Sequence, residues 1–360
     1  MMQSCCIFLC RGRQFRKSSI PTSILCDSEL WNFFFQCEFG FIFQIKSPFY
    51  TTIHGLEHCP VAAGYADLNL FRSGLEYAPR DSDIFIVSYP KSGTTWMQMI
   101  VWLLLNDLEP PKYIDQLTDD NFLEYFAGKE GVSKMKEPRQ IKSHLPFDLI
   151  PFNPKAKYIH VCRNPFDVCV SLYKHTYGFK KYYFDGSMDE FFEYFHKGET
   201  YGFIKSFPKS VNWLQKIITQ NIVSKTVEFG DYYSHLSSWY EQSHPNILFV
   251  TFEEMKENIK GVVENIVKFI GGEIEARASQ DGFIDKLVKM SKFSEMQKLP
   301  QKEIMKEGQA FVSQGKAGNF SNALNKDQCN RLLEKYKRCL KEDKLINLWK
   351  PYVEIRSTGK

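Results

Sequence analysis

Blocks of apolar and polar positions alternate along this 360-residue chain, and their order predicts an α/β protein. Three short runs rich in β-branched and aromatic residues stand out: Ile84–Val87, Lys157–Cys162 and Ile247–Thr251. They carry too few polar positions for strands with one wet face, so they read as strands buried on both sides of a parallel sheet. Each is followed by a helical pattern: Met97–Leu105, then Phe166–Tyr173, then a long stretch from Phe252 to Phe269. Thr94 or Thr95 is placed to cap the first helix, and Asn164 to cap the second with Pro165 at its first position. Gly271-Gly272 stops the third. Arg139–Leu145 adds another short strand that turns at Pro146, and further helices are predicted over Gly64–Phe71, Asp285–Met296 and Asp327–Lys341. Strands alternating with helices imply a single α/β domain, its mainly parallel central sheet flanked by helices and its ligands at the carboxyl edge.

Two stretches fall outside this pattern. Residues 1–48 join cysteines, the basic cluster Arg11, Arg13, Arg16 and Lys17, and the aromatic run Trp31–Phe43 without helical or strand period. They are expected to form a poorly ordered extension. The globular domain is expected over 49–352, with an atypical insert at about 201–227 that could carry a surface helix over Asn212–Ser224, and a tail over 353–360.

Composition narrows the class. With 43% hydrophobic and 24% charged residues the chain is an ordinary globular protein, and its net charge of +4 suits small anionic ligands without indicating nucleic acid as the main partner. Thirty-one phenylalanines suggest an apolar pocket as well as a core. Ten cysteines without a C-x-x-C pair argue for free thiols in a reducing compartment and against a zinc site. The first ten residues lack the polarity of a secretory signal, and Trp31–Phe43, interrupted by Gln36 and Glu38, is too short to span a bilayer. The expected location is cytoplasmic, with no membrane partner.

Chemistry concentrates after the first strand, in Tyr89-Pro90-Lys91-Ser92-Gly93-Thr94-Thr95-Trp96. Strand, small polar loop and helix N-terminus aim backbone N–H groups at one point, which is how an anion is held. The G-x-x-x-x-G-K-[ST] order of nucleotide hydrolases is absent: Lys91 precedes the glycine, which disfavours a nucleoside-phosphate kinase. Further along, Lys142 and His144 sit two apart in Lys-Ser-His-Leu-Pro, a spacing that puts both on one face of a strand. Arg163 and Ser171 flank the junction Arg-Asn-Pro-Phe-Asp-Val-Cys-Val-Ser.

The octapeptide resembles the 5′-phosphosulfate loop of cytosolic sulfotransferases, and the later motifs follow that family's order from about residue 50 to 350. The resemblance implies a P-loop-like sulfotransferase fold. It also implies transfer of the sulfuryl group of 3′-phosphoadenosine 5′-phosphosulfate to a small, largely apolar phenol, alcohol or amine. On this likeness Lys91, Ser92, Gly93, Thr94, Thr95 and Trp96 cradle the nucleotide, and Lys91 contacts the bridging oxygen. His144 is the general base, and Lys142 steadies the transferring group. Arg163 and Ser171 grip the 3′-phosphate, with Ser171 counted in the catalytic set too. Trp96 and Phe293 sandwich adenine, Ser291 meets its edge, and Gly315 and Lys316 close the nucleotide loop. Phe147, Tyr173, Phe179 and Tyr182 are candidates for the acceptor pocket. No metal is implied, since lysines can supply the positive field.

The chain also departs from the family. Phe252 stands where a tyrosine bonds the nucleotide, and Ser313-Gln314-Gly315 stands where Arg-Lys-Gly clamps the 3′-phosphate. The short dimer motif is not recognisable in Ser321–Asn330, so a homodimer lacks its usual signature. These departures keep a second reading open: a catalytically weak relative that binds nucleotide or a small apolar ligand. Restoring the lost charge tests their weight. Ser313→Arg is expected to tighten the 3′,5′-bisphosphate by roughly tenfold or more, as a charge-assisted contact should; unchanged affinity in titration calorimetry would show that another group already serves.

Overall fold

The computed structural model describes residues 67–198 apart from position 183, then 227–300 and 318–340, with Cys59–Val61, Lys306, Trp349 and short pieces of strand before residue 63. Most of the 1–48 extension, nearly all of the insert at 201–227, the loop holding Ser313 to Lys316, and the C-terminal tail lie outside the described residues.

Four parallel strands form the central sheet: β1 (Ile84–Ser88), β2 (Gln140–Ser143), β3 (Lys157–Cys162) and β4 (Ile247–Thr251), in the spatial order β4-β3-β1-β2. Alternation sorts their side chains between two cores. Phe85, Val87, Tyr158 and Ile141 join one cluster, while Ile84, Ile86, Ile159, Val161 and Val250 join the other. Both faces of the sheet are therefore covered, which is why these strands read as unbroken apolar runs. Because β1 pairs with β2 on one side and β3 on the other, the strand order reverses between β1 and β3. Their carboxyl ends open the crevice where such sheets take ligands.

Helix α1 (Leu68–Leu75) is capped by the Asp67 side chain. Helix α2 (Thr94–Leu105) follows β1 and is buried along most of its length. Its N-cap is Gly93 at φ 111°, with no side-chain cap, and not a threonine as the sequence suggests. The Thr94 hydroxyl instead bonds the Ser88 hydroxyl, tying the helix start to the strand end. Only glycine fits here, since a Cβ on Gly93 would sit 2.8 Å from Cδ2 of Phe252. Helix α3 (Pro165–Gly178) starts as its sequence predicts: Asn164 accepts the Asp167 N–H, and Pro165 occupies the first turn. It continues past Tyr173 to Gly178, with Thr176 and Gly178 also buried.

Helix α4 (Met188–Lys197), absent from the sequence-based layout, is announced by a capping box, Ser187 with Glu190. Helix α5 (Tyr232–Tyr240) starts at Asp231. The stretch predicted as one helix from Phe252 is two, α6 (Phe252–Glu257) and α7 (Ile259–Ile270), because the Asn258 side chain accepts the Gly261 N–H and restarts the helix. Asp285–Met296 likewise divides into α8 (Phe283–Met290) and α9 (Phe293–Met296) around Ser291. Helix α10 (Lys326–Cys339) is the last described.

At the amino end of the sheet, Arg139 donates to Asp83 at 2.9 Å with both side chains buried. Asp83 also accepts the Tyr77 hydroxyl at 2.6 Å and the Arg80 N–H at 2.8 Å. Removing one partner of a buried pair strands the other charge. Asp83→Ala is therefore expected to lower unfolding stability by about 3–5 kcal/mol in urea titrations. A loss under about 1 kcal/mol would mean that Glu137, which Arg139 also meets at 2.7 Å, suffices as its partner.

Candidate active site

The loop leaving β1 turns through two left-handed residues in quick succession, Lys91 at φ 70° and Gly93 at φ 111°. For lysine that conformation is strained, by about 1–2 kcal/mol. The turn brings Ser92 inward: its hydroxyl is buried, with no hydrogen-bond partner among the described residues. The first amides of α2 also have no partner within their own helix. A Ser hydroxyl and helix-start N–H groups left unsatisfied beside a lysine make an anion cradle.

His144 lies one residue past β2, so the strand pairing that would set it on the face of Lys142 ends at Ser143. What holds it is a set of contacts from three segments. Its Nδ1–H donates to the Ser88 carbonyl at 2.7 Å, its backbone N–H donates to Glu124 at 2.6 Å, and its carbonyl accepts from His235 Nε2 at 3.0 Å. With Nδ1 committed as donor to a carbonyl, Nε2 carries the lone pair. Phe122 and Phe229 pack edge-on against the ring, at 5.1 and 5.5 Å. Burial first, then the Lys142 charge, holds the imidazole well below the usual histidine range. His144 is therefore neutral at pH 7.

Lys142 reaches the Thr118 carbonyl at 3.1 Å and lies 3.8 Å above the Phe122 ring. Burial lowers its pKa to about 8. Burial, reinforced by Lys142 and Arg163, does the same to Lys91, also to about 8. Lys91 thus feels the charges of both Lys142 and Arg163.

Arg163 follows β3, across the switch point from Lys91. Its guanidinium pairs with Asp167 at 3.2 Å and rests 4.3 Å over the ring of Phe252. Phe252, the departure from the family's tyrosine, is thus the floor under both the arginine and Gly93. Ser171 stands one helical turn beyond Asp167 on the same face of α3. Asp167 also accepts the N–H groups of Gly318 and Phe320, at 2.7 and 3.1 Å, which brings the end of the predicted nucleotide loop beside Arg163. Gly315 and Lys316 themselves lie outside the described residues.

The predicted base sandwich is arranged differently. Trp96 and Phe293 touch each other, ring centroids 4.8 Å apart at 53°, with Phe252 edge-on against Trp96. No room for a base separates them, so a base must stack on an outer face or part the rings. The buried Trp96 Nε1 has no partner among the described residues. Ser291 spends its hydroxyl on the Val288 carbonyl at 3.2 Å.

Of the four acceptor-pocket candidates, Phe179 and Tyr182 border the site through His175, at ring separations of 4.2 and 5.4 Å. Phe147 packs on Phe152 and Trp239, and Tyr173 on Phe184 and Phe191, both partly buried against the core. Sequence reasoning did not single out Glu124, His175, Glu228 or His235. Buried polar residues inside aromatic runs were their one signal. A cleft of about 620 Å³ near Asp107, Glu137 and Arg277 lies at the amino end of the strands, away from these residues. Among the described residues no cluster of three His, Cys, Asp or Glu side chains could hold a metal, and no helix is long and apolar enough to cross a membrane.

A parallel sheet whose switch point gathers a lysine-bearing loop, an arginine and a neutral histidine defines a transferase of anionic groups. The sulfotransferase domain model matches residues 81–344, and the chain belongs to that family: it is a sulfotransferase. It is 29% identical over 271 residues to Sulfotransferase 1E1 of Bos taurus, covering 70% of this chain and 81% of that protein. With the Amine sulfotransferase of Oryctolagus cuniculus it shares 27% over 311 residues, covering 81% and 91%. Among solved structures, mouse sulfotransferase SULT7A1 complexed with PAP superposes with a TM-score of 0.63 at 21% identity, covering 84% of this chain and 99% of that one. Retinol dehydratase in complex with androsterone and inactive cofactor PAP gives 0.60, also at 21% identity, over 78% and 86%. Both structural likenesses concern the fold.

The buried cations have a measurable consequence. A lysine whose folded pKa is about 8, below its unfolded value, is destabilising while both states keep the proton, and that penalty is relieved as pH rises from 8 towards 10.5. Lys142→Met is expected to stabilise the ligand-free protein by about 1–3 kcal/mol at pH 7, with the gain shrinking by pH 10. Denaturant titrations showing a pH-independent difference would refute the assignment.

Proposed function

We propose that the protein transfers the sulfuryl group of 3′-phosphoadenosine 5′-phosphosulfate to a hydroxyl or amine of a small, largely apolar acceptor. The observation that carries this reading is His144: neutral, its Nδ1 tied to the strand that feeds the Lys91 loop, its Nε2 left to take a proton. Support for the nucleotide comes from groups that a phosphate would satisfy, the buried Ser92 hydroxyl and the amides opening α2. The PAP in the structures of mouse SULT7A1 and retinol dehydratase agrees with this donor.

In the reaction the acceptor oxygen or nitrogen forms a bond to sulfur while the bond from sulfur to the bridging phosphate oxygen breaks. The acceptor's proton passes to His144 Nε2, and the bisphosphate leaves with the electron pair. Lys91 offsets charge developing on the bridging oxygen, Lys142 that on the sulfuryl oxygens, and Ser171 assists from α3. Arg163 and Ser171 hold the 3′-phosphate, joined by Gly315 and Lys316. Trp96 and Phe293 stack the base, with Ser291 near its edge. Ser92, Gly93, Thr94 and Thr95 enclose the 5′ end. The scheme needs no metal, because the three cations already stabilise a transition state whose charge sits on oxygen. A soluble, cytoplasmic location and small-molecule acceptors go with this reading. Neither nucleic acid nor membrane enters as a partner.

Phe252 and Ser313-Gln314 favour a second reading, a weak enzyme that sequesters nucleotide or an apolar ligand. One assay separates the two: radiolabelled donor with a panel of phenols, alcohols and amines. The enzyme reading expects turnover that falls by about 10²–10⁴ in His144→Ala. Because His144 titrates well below 6.5, the acid limb of kcat/KM should also fall below that of an ordinary imidazole. Tight bisphosphate binding with no turnover on any acceptor would establish sequestration instead.

A further inference from the structure

Behind the anion loop a partly buried line of polar groups leads away from Lys91, and the reaction scheme gives no part to the groups beyond that lysine. Lys91 Nζ lies 3.4 Å from Nδ1 of His175, and His175 Nε2 lies 3.3 Å from the Tyr182 hydroxyl. Tyr182 in turn donates to one oxygen of Glu228, and the Tyr125 hydroxyl donates to the other. The direction of every link follows from its ends. An ammonium can only donate, so Nδ1 of His175 accepts and Nε2 carries the hydrogen. That nitrogen donates to the Tyr182 oxygen, which passes its own hydrogen to a carboxylate that only accepts. The four groups come from the loop after β1, from α3, from the turn after α3 and from the segment before α5. They form one run of hydrogen bonds in a single sense.

We propose that His175, Tyr182 and Glu228 are positioning residues for Lys91, holding its ammonium charged and aimed inside the buried site before an anionic ligand arrives. The inference rests on Lys91 being the loop cation of the proposed function, and adds the groups that keep it ready. A neutral imidazole is well suited to the first link: it accepts from the lysine without adding a positive charge. Burial, with Lys91 next, keeps His175 well below the usual histidine range.

The charges facing Lys91 explain why a counter-charge is needed. Lys142 on β2 and Arg163 after β3 both oppose its protonation, while Glu228 favours it. His144 is neutral and contributes no charge. Glu124 lies behind His144, its carboxyl raised to about 7 by burial, and points its bond at the His144 backbone. Glu228 is thus an acidic group that hydrogen bonds connect to Lys91 through Tyr182 and His175.

The test is an NMR titration of the Lys91 side chain in the full chain labelled with ¹³C,¹⁵N-lysine, its signal assigned from the spectrum of Lys91→Arg. In the wild type the midpoint is expected at about 8. Glu228→Gln should move it down by roughly one unit or more, the effect of losing a nearby opposite charge. Tyr182→Phe, which removes a single oxygen and keeps the ring, should move it the same way by less. Should Glu228→Gln fail to fold, Tyr182→Phe decides alone. An unchanged or raised midpoint in the folded variants overturns the proposal, since a merely structural role would leave the titration where it was. Adding 3′,5′-bisphosphate to the wild type is a separate arm. It should raise the midpoint, and its failure to do so would count against the nucleotide reading while leaving the result on Glu228 and Tyr182 intact.

Discussion

The structure depends on keeping like charges together where water is scarce. Lys91, Lys142 and Arg163 converge on the carboxyl edge of the sheet, where burial lowers the pKa of both lysines and the charges of Lys142 and Arg163 lower that of Lys91 further. Such a cluster costs folding energy until an anion enters, when the same field becomes binding energy. Compensations surround it. Asp167 pairs with Arg163, Phe252 offers the arginine its ring face, Phe122 does the same for Lys142, and Glu228 answers Lys91 through two intermediaries.

The same constraint explains the local strain. A lysine held in the left-handed region and a glycine that tolerates no side chain both serve to turn the chain sharply between β1 and α2. The turn sets Lys91 and Ser92 beside the amides of the helix start. Phe252 closes this arrangement from below. It lacks a tyrosine's hydroxyl, and its ring supports Arg163 and Trp96 together. A tyrosine at this position would add a polar atom among these rings that would itself need a partner.

The candidate general base is fixed with similar redundancy. His144 is bonded at its ring, its amide and its carbonyl, from Ser88, Glu124 and His235 in three segments. The ring contact settles the tautomer and the amide and carbonyl contacts settle the direction, so proton acceptance needs no rearrangement of His144 itself. Glu124 and His235 stay away from the proposed reacting atoms and act through the position of the imidazole.

Much of this was legible from sequence because it is local. The apolar runs at Lys157–Cys162 and Ile247–Thr251 are strands over the expected residues, Asn164 and Pro165 begin α3, and the octapeptide at Tyr89–Trp96 forms the turn and the opening of α2. Where local rules competed, the reading slipped: Asn258 divided a predicted helix, and the Thr94 hydroxyl bonded a strand residue and left capping to Gly93. Sequence alone determined the parallel sheet and singled out Lys91 and His144 as candidates, since period, turn chemistry and motif order are written in neighbouring residues. Tertiary structure alone decided that Lys91 meets His175 across 84 positions of chain, that Tyr182 meets Glu228, and that Trp96 touches Phe293. Those meetings follow from how helices pack on two faces of one sheet, and no short-range pattern specifies which distant side chains that packing brings together.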